Sequence, residues 1–162
     1  MTHDLADRIS RPTKERDGIT ILDIDYYAPF LLSAVSNAWQ RKSSAIYRKN
    51  FDLGVVDWRV MAMLNIEPMI TANRVCEVIR LDKAAVSRSL RLLEEEGLAS
   101  YKASRTDARK RRWWLTYKGQ DVHRDLMQIA LASEAEMLKN VAPDELEVFL
   151  KVMRQMLANL DG

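Results

Sequence analysis

The chain has 162 residues, 48% hydrophobic and 30% charged, with a net charge of +2. That length suits one compact domain, or a small domain with a pairing element. There is no apolar run long enough to span a bilayer, no signal-peptide core near the start and only one cysteine, so membrane insertion, a disulfide framework and a cysteine zinc site are excluded; a cytoplasmic protein without metal or cofactor is expected.

Charge is unevenly spread. Residues 80–112 hold ten Lys or Arg against five Asp or Glu, leaving fifteen basic and eighteen acidic residues elsewhere. A basic segment in a mildly acidic body is the electrostatic footprint of a polyanion partner.

Residues 1–25 are polar and read as an arm with little structure of its own. Asp25 is placed to cap a helix reaching about Lys49, with Pro29 near its first turn. Leu31, Val35, Trp39 and Ile46 form its apolar stripe, and Gln40 to Ser44 is expected to face outward. Gly54 starts a helix that buries Val56, Val60, Met61 and Leu64, and Pro68 helps to stop it. Thr71 caps a two-turn helix, Ala72 to about Ile79, with Val75, Cys76 and Ile79 inward. Arg80 and Leu81 connect it tightly to Asp82, the N-cap of the next helix, which Gly97 ends.

That helix carries the polyanion argument. Val86, Leu90 and Leu93 recur at i, i+4, i+7 and predict a buried face. Ala84, Ser87, Arg88 and Arg91 fall on the other side, small first and cationic beyond. Small residues permit close approach, and arginine can fork onto phosphate or a guanine edge. A short helix, a tight connector and a longer helix make a helix-turn-helix, whose second helix enters the major groove.

Leu98 to Ser104 and Arg111 to Leu115 predict two strands around a basic tip, Arg105 to Lys110, forming a β-hairpin wing. Trp113 and Leu115 share one face of the second strand; Arg112 and Trp114 share the other. Thr116 caps a long helix to about Lys139, with Val122, Leu126, Ile129, Ala130 and Met137 as its stripe. Pro143, Asp144 and Glu145 open a last helix lined by Leu146, Phe149, Leu150, Met153, Leu157 and Leu160. His3 and His123 are expected at the surface.

Leu81-Asp82-Lys83-Ala84-Ala85-Val86-Ser87-Arg88, Leu93-Glu94-Glu95-Glu96-Gly97-Leu98, Asp107-Ala108-Arg109 and Leu115-Thr116-Tyr117-Lys118-Gly119 occur in that order. This set resembles the MarR family of bacterial transcriptional regulators over about residues 30–160. The resemblance implies a mainly α fold with a small β-wing. It is a winged helix-turn-helix lobe at about 54–115, between dimerisation helices at about 26–50 and 117–160, so that 26–162 forms a single domain. It implies a homodimer reading a pseudo-palindromic operator in double-stranded DNA. By position, Ser87, Arg88 and Arg91 fall on the recognition helix and Arg109 at the wing tip, while Asp107 orients the wing. Tyr101 stands where the family usually has arginine, and Lys110, Arg111 and Arg112 add basic charge.

The expected DNA contacts are therefore Ser87, Arg88, Arg91, Arg105, Arg109, Lys110 and Arg111. Tyr26, Tyr27, Trp39 and Trp58 are the candidates for a pocket taking a small aromatic or phenolic effector, which the family often binds; aromatic walls suit such ligands. The leading reading is a repressor released from its operator by that effector. Two alternatives stand beside it: a redox-responsive regulator acting through Cys76, and a helical adaptor that does not bind DNA. No nucleophile–base set, glycine-rich phosphate loop or metal-ligand cluster is present, so an enzyme is not expected.

Overall fold

The computed structural model describes residues 11–103 and 111–161. Its elements, in chain order, are strands β1 (Thr13–Arg16) and β2 (Ile19–Leu22), helices α1 (Ala28–Phe51) and α2 (Val55–Ile66), strand β3 (Ile70–Thr71), helices α3 (Ala72–Ile79) and α4 (Lys83–Glu95), strands β4 (Ala99–Ala103) and β5 (Arg111–Leu115), and helices α5 (Tyr117–Met137) and α6 (Pro143–Asp161). The chain divides into two compact units, 1–123 and 124–162. Among the described residues no helix is long and apolar enough to cross a membrane.

The first segment is more ordered than its polarity suggests. β1 and β2 pair antiparallel from Thr13–Leu22 to Arg16–Ile19. Asp17 and Gly18 both have positive φ, the geometry of a two-residue hairpin turn. Asp23 closes the base: its N–H donates to the Pro12 carbonyl at 2.8 Å, and its carboxylate meets Lys14 Nζ at 3.2 Å. The same Asp23 corrects the start of α1. Its carbonyl accepts from Tyr26 N–H at 3.1 Å, so Asp25 is held in a turn and Tyr27 becomes the N-cap, with no side-chain cap.

In α1 the burial differs from the predicted stripe. Leu31 and Val35 are exposed, Trp39 and Ile46 half-buried, and the fully buried positions are Ser43 and Tyr47. Ser43 thus lies inside a stretch expected to face outward. The stripe was read from hydrophobicity alone, which does not say which apolar residues find cover.

The core of the first unit is the helix-turn-helix and its sheet. Val60, Met61 and Leu64 of α2, Val75 of α3, and Val86, Leu90 and Leu93 of α4 are buried, each contributing roughly 2 kcal/mol by leaving water. Thr71 Oγ1 accepts from Arg74 N–H, and Arg80, at φ +55, ends α3 and turns the chain toward α4. The wing is three-stranded, in the order β3-β5-β4, with Ile70 opposite Trp113 and Tyr101 opposite Trp113 on the other side. The two-residue β3 is too short to register as a periodic signal. Trp113 and Leu115 face inward, while Arg112 is exposed and Trp114 half-buried. These elements form a winged helix-turn-helix.

The wing is joined to α5 by a polar knot. Thr116 Oγ1 donates to the Gly97 carbonyl at 2.7 Å and accepts from Gly119 N–H at 3.1 Å. Gly119 packs so closely on the Leu98 backbone that a methyl group at its Cα would overlap the Leu98 carbonyl oxygen.

In the second unit, α6 begins at Pro143, and Glu145 Oε2 accepts from Ala142 N–H at 3.0 Å. No residue of α6 is buried: Val148, Phe149, Leu150, Val152, Leu157 and Leu160 are all exposed.

Gly119→Ala is expected to destabilise the protein by about 2 kcal/mol or more, because backbone rather than a flexible side chain must move. A urea unfolding curve of the variant against the parent measures it.

Candidate nucleic-acid interface

The exposed face of α4 is built by its first turn. Asp82 Oδ1 accepts from Ala85 N–H at 2.9 Å, which starts the helix. That backbone hydrogen bond holds the Asp82 carboxyl below its ordinary range; desolvation opposes it, and Ala84 N–H and the Arg88 charge add smaller support. Ala84, Ser87, Arg88 and Arg91 are then exposed together, as the spacing predicts.

Behind that face lies a contact the sequence does not announce. Ser89 is 3% exposed, and its hydroxyl donates to Asp57 Oδ1 at 2.6 Å. Asp57 Oδ2 accepts from Gly54 N–H at 2.8 Å. One carboxylate therefore caps α2 and ties it to α4.

Beside the α4 face runs a cleft of about 450 Å3, lined by Thr71 and Asn73 at the start of α3, Ser87, Arg91 and Glu94 of α4, and Arg111 of β5. Three predicted residues, Ser87, Arg91 and Arg111, thus meet at one cleft, and Arg88 is exposed on the same helix. Arg105, Arg109 and Lys110 lie outside the described residues. Thr71, Asn73 and Glu94 were not expected at the site; only the fold brings α3 beside α4.

Tyr101 orders a neighbouring cation of the wing. The Arg111 guanidinium sits 4.1 Å from the centre of the Tyr101 ring, and that ring packs 4.7 Å from Trp113. Arg112 is differently used: its Nη1 donates to the Met69 carbonyl at 3.2 Å, which anchors the sheet edge.

The four aromatic pocket candidates fall into separate groups. Tyr26 is exposed, and Tyr27 packs on Phe30 at 6.2 Å. Trp39 lies under the Arg59 guanidinium at 5.8 Å. Trp58 packs on Tyr47 at 6.4 Å and stacks on His123 at 5.2 Å. His123 is 6% exposed rather than a surface residue, because its ring covers Trp58, and burial lowers its pKa. Burial raises the pKa of Tyr47, partly offset by the nearby Ser43 hydroxyl, yet neither hydroxyl makes a well-formed hydrogen bond. Cys76 is half-buried on α3.

The sequence pattern of the MarR family matches residues 51–110, the span from the end of α1 through α4 into the wing. A MarR/EmrR family regulator from Acinetobacter sp. ADP1 superposes with a TM-score of 0.79 at 25% identity, over 86% of this chain and 99% of that one. Residues 51–110 thus carry the MarR pattern, and the chain shares the fold of MarR-family regulators. The HTH-type transcriptional regulator PetP of Rhodobacter capsulatus is 27% identical over 106 residues, 65% of this chain and 64% of PetP, just under two thirds of that relative. A MarR variant from Escherichia coli, complexed with operator DNA, shares the fold with a TM-score of 0.70 at 21% identity, over 78% of this chain and 91% of that one. The matched span thus covers both α4 and Asp57.

A histidine whose folded pKa is lowered stabilises the fold above its unfolded pKa, about 6.5, and that contribution is lost as pH falls toward the folded value. His123→Phe, which keeps a ring on Trp58, is expected to flatten the fall in unfolding free energy between about pH 7 and pH 5. Urea titrations at several pH values, parent against variant, check this.

Proposed function

We propose that the chain is a homodimeric, sequence-specific DNA-binding regulator that acts as a repressor on a pseudo-palindromic operator. The observation that carries this reading is the convergence of Ser87 and Arg91 of α4 with Arg111 of the wing on one cleft, beside exposed Arg88. α4 lies in the major groove, with its arginines forking onto phosphate and base edges. The wing, carrying Arg105, Arg109 and Lys110, reaches the adjacent minor groove, whose negative potential attracts arginine. Residues 54–115 are the DNA-binding lobe.

The helices at 26–50 and 117–160 form the dimer. Phe30, Leu31 and Val35 of α1 in the first unit, and Phe149, Leu150 and Leu157 of α6 in the second, are exposed in the single chain, and each set is apolar surface that a second copy would bury. Two lobes on a twofold axis read half-sites about one helical turn apart.

The effector is a small aromatic or phenolic ligand that favours a lobe spacing unfit for the operator. The support for it is the grouping of Trp58, Tyr47 and His123 together with the unpaired hydroxyls of Ser43 and Tyr47, which a polar aromatic molecule would satisfy.

Arg91→Ala is expected to weaken binding to DNA fragments selected from the source genome about tenfold, and to lower the slope of log affinity against log salt by about one. Mobility-shift titrations across salt measure both, and unchanged affinity and slope would remove Arg91 from the interface. Sedimentation of the parent protein at micromolar concentration is expected to give a dimer; a stable lone subunit would overturn the twofold reading.

A further inference from the structure

The hairpin before α1 has one guarded edge and one open edge. β1 follows Pro12 and carries Lys14, Glu15 and Arg16, the residue types that keep a strand edge from pairing with another chain. β2 is Ile19-Thr20-Ile21-Leu22, without charge, proline or glycine. Among the described residues the sheet stops at these two strands, so neither edge meets a third strand. We infer that β2 pairs antiparallel with β2 of a second copy of the chain, across a twofold axis, to give a continuous four-stranded sheet. This rests on the homodimer reading above and adds to it a contact made outside the helices.

The hairpin register says which backbone groups are on offer. Beside a two-residue turn the first pair, Arg16 with Ile19, exchanges both hydrogen bonds, and such pairs then alternate along the ladder. Lys14 with Ile21 is the next, and Asp23 N–H on the Pro12 carbonyl continues the alternation. The N–H and C=O groups of Thr20 and Leu22 therefore point away from β1. Setting Thr20 against Leu22 of the second copy, and Leu22 against its Thr20, satisfies all of these groups in both strands. That register places the two Ile21 residues opposite each other on the axis. It also closes the assembly, because an edge that pairs with its own copy leaves no second open edge to propagate.

The side chains agree. Ile19 and Ile21 share one face of the sheet, opposite Arg16 and Lys14 of β1. Pairing brings the isoleucines of both copies together at its centre, with the cations on the outer strands. A lone two-stranded hairpin is marginal in water, and a third strand or other cover is needed for stability. This one leaves Ile19 and Leu22 exposed, yet it is fastened at its base by Asp23 to Pro12, Lys14 and Tyr26, which gives the arm a fixed direction. Apolar exposure continues along the chain through Ile24 and Tyr26 to Phe30, Leu31 and Val35 of α1, the surface already assigned to the second copy.

The test is disulfide cross-linking of the full chain, in a Cys76→Ser background, under mild oxidation. Ile21→Cys is expected to give a covalent dimer, since residues directly opposite in a ladder lie within disulfide range. Ile19→Cys is expected to give at least tenfold less, because the pairing separates it from its counterpart by four residues, roughly 13 Å along the strand. Thr20→Pro removes an outward N–H and no hydrogen bond of the β1–β2 ladder, so a solvent-facing edge would tolerate it. It is expected to suppress the Ile21→Cys cross-link at least tenfold and to raise the dissociation constant of the dimer about tenfold in sedimentation. Should it fail to fold, Ile21→Lys, which sets like charges opposite each other on the axis, is expected to raise that constant similarly. A parent that sediments as a dimer with no cross-link from Ile21→Cys, equal cross-linking at positions 19 and 21, or undiminished cross-linking in the folded proline variant would overturn the strand pairing and leave the homodimer standing. A lone subunit in sedimentation would overturn both.

Discussion

The carboxylate of Asp57 is the point on which the recognition surface turns. Exposed arginines select a target only if the backbone behind them is fixed in angle and register. Apolar packing of Val86, Leu90 and Leu93 holds α4 against the core without direction, because dispersion and burial tolerate small rotations. The Ser89 hydroxyl on Asp57 is directional and charge-assisted, and the same carboxylate caps α2 through Gly54. A buried polar group left without its partner would cost about 1–3 kcal/mol, so slippage of α4 along α2 is opposed at one defined position.

The wing is fixed by a different balance. Its inner face is apolar, through Trp113 and Leu115, and packs as any half-buried sheet does. Its two faces order their cations separately, Arg111 beside Trp113 on the inner one and Arg112 on the outer one. Tyr101 takes Arg111 onto its ring, and the Met69 carbonyl takes Arg112. Two neighbouring arginines thereby acquire separate roles, one facing the cleft beside α4 and the other bracing β3. The knot of Thr116 and Gly119 on Gly97 and Leu98 then sets where α5 leaves the sheet.

Outside that lobe the chain leaves much apolar surface uncovered. α6 buries none of its side chains, and the N-terminal half of α1 exposes Phe30, Leu31 and Val35. Each such side chain gives roughly 2 kcal/mol when taken from water. Apolar helix faces without cover among the described residues are the reason the proposed function includes a second copy of the chain. Around Trp58 the Ser43 and Tyr47 hydroxyls instead lie in the interior, without a well-formed hydrogen bond among the described residues.

The boundaries of α2, α3 and α4, the caps at Thr71, Asp82 and Thr116, the inward faces of α4 and β5, and the outward row of Ala84, Ser87, Arg88 and Arg91 were legible in the sequence, whereas the start of α1 was not. Each depends on a local rule: a side chain reaching its own backbone, or a period of 3.6 or 2 that sorts residues to one side. The hairpin before α1 was missed: the polar, mixed-charge segment reads as an arm, and only the pairing of β1 with β2 shows Asp17-Gly18 to be a two-residue turn. Only the tertiary structure decided which neighbours those faces meet. It placed Ser89 on Asp57, 32 residues away, stacked His123 on Trp58, set Arg111 over Tyr101, and made Gly119 indispensable against Leu98. Those outcomes depend on the packing of elements distant along the chain, and no local pattern encodes a distance across the core.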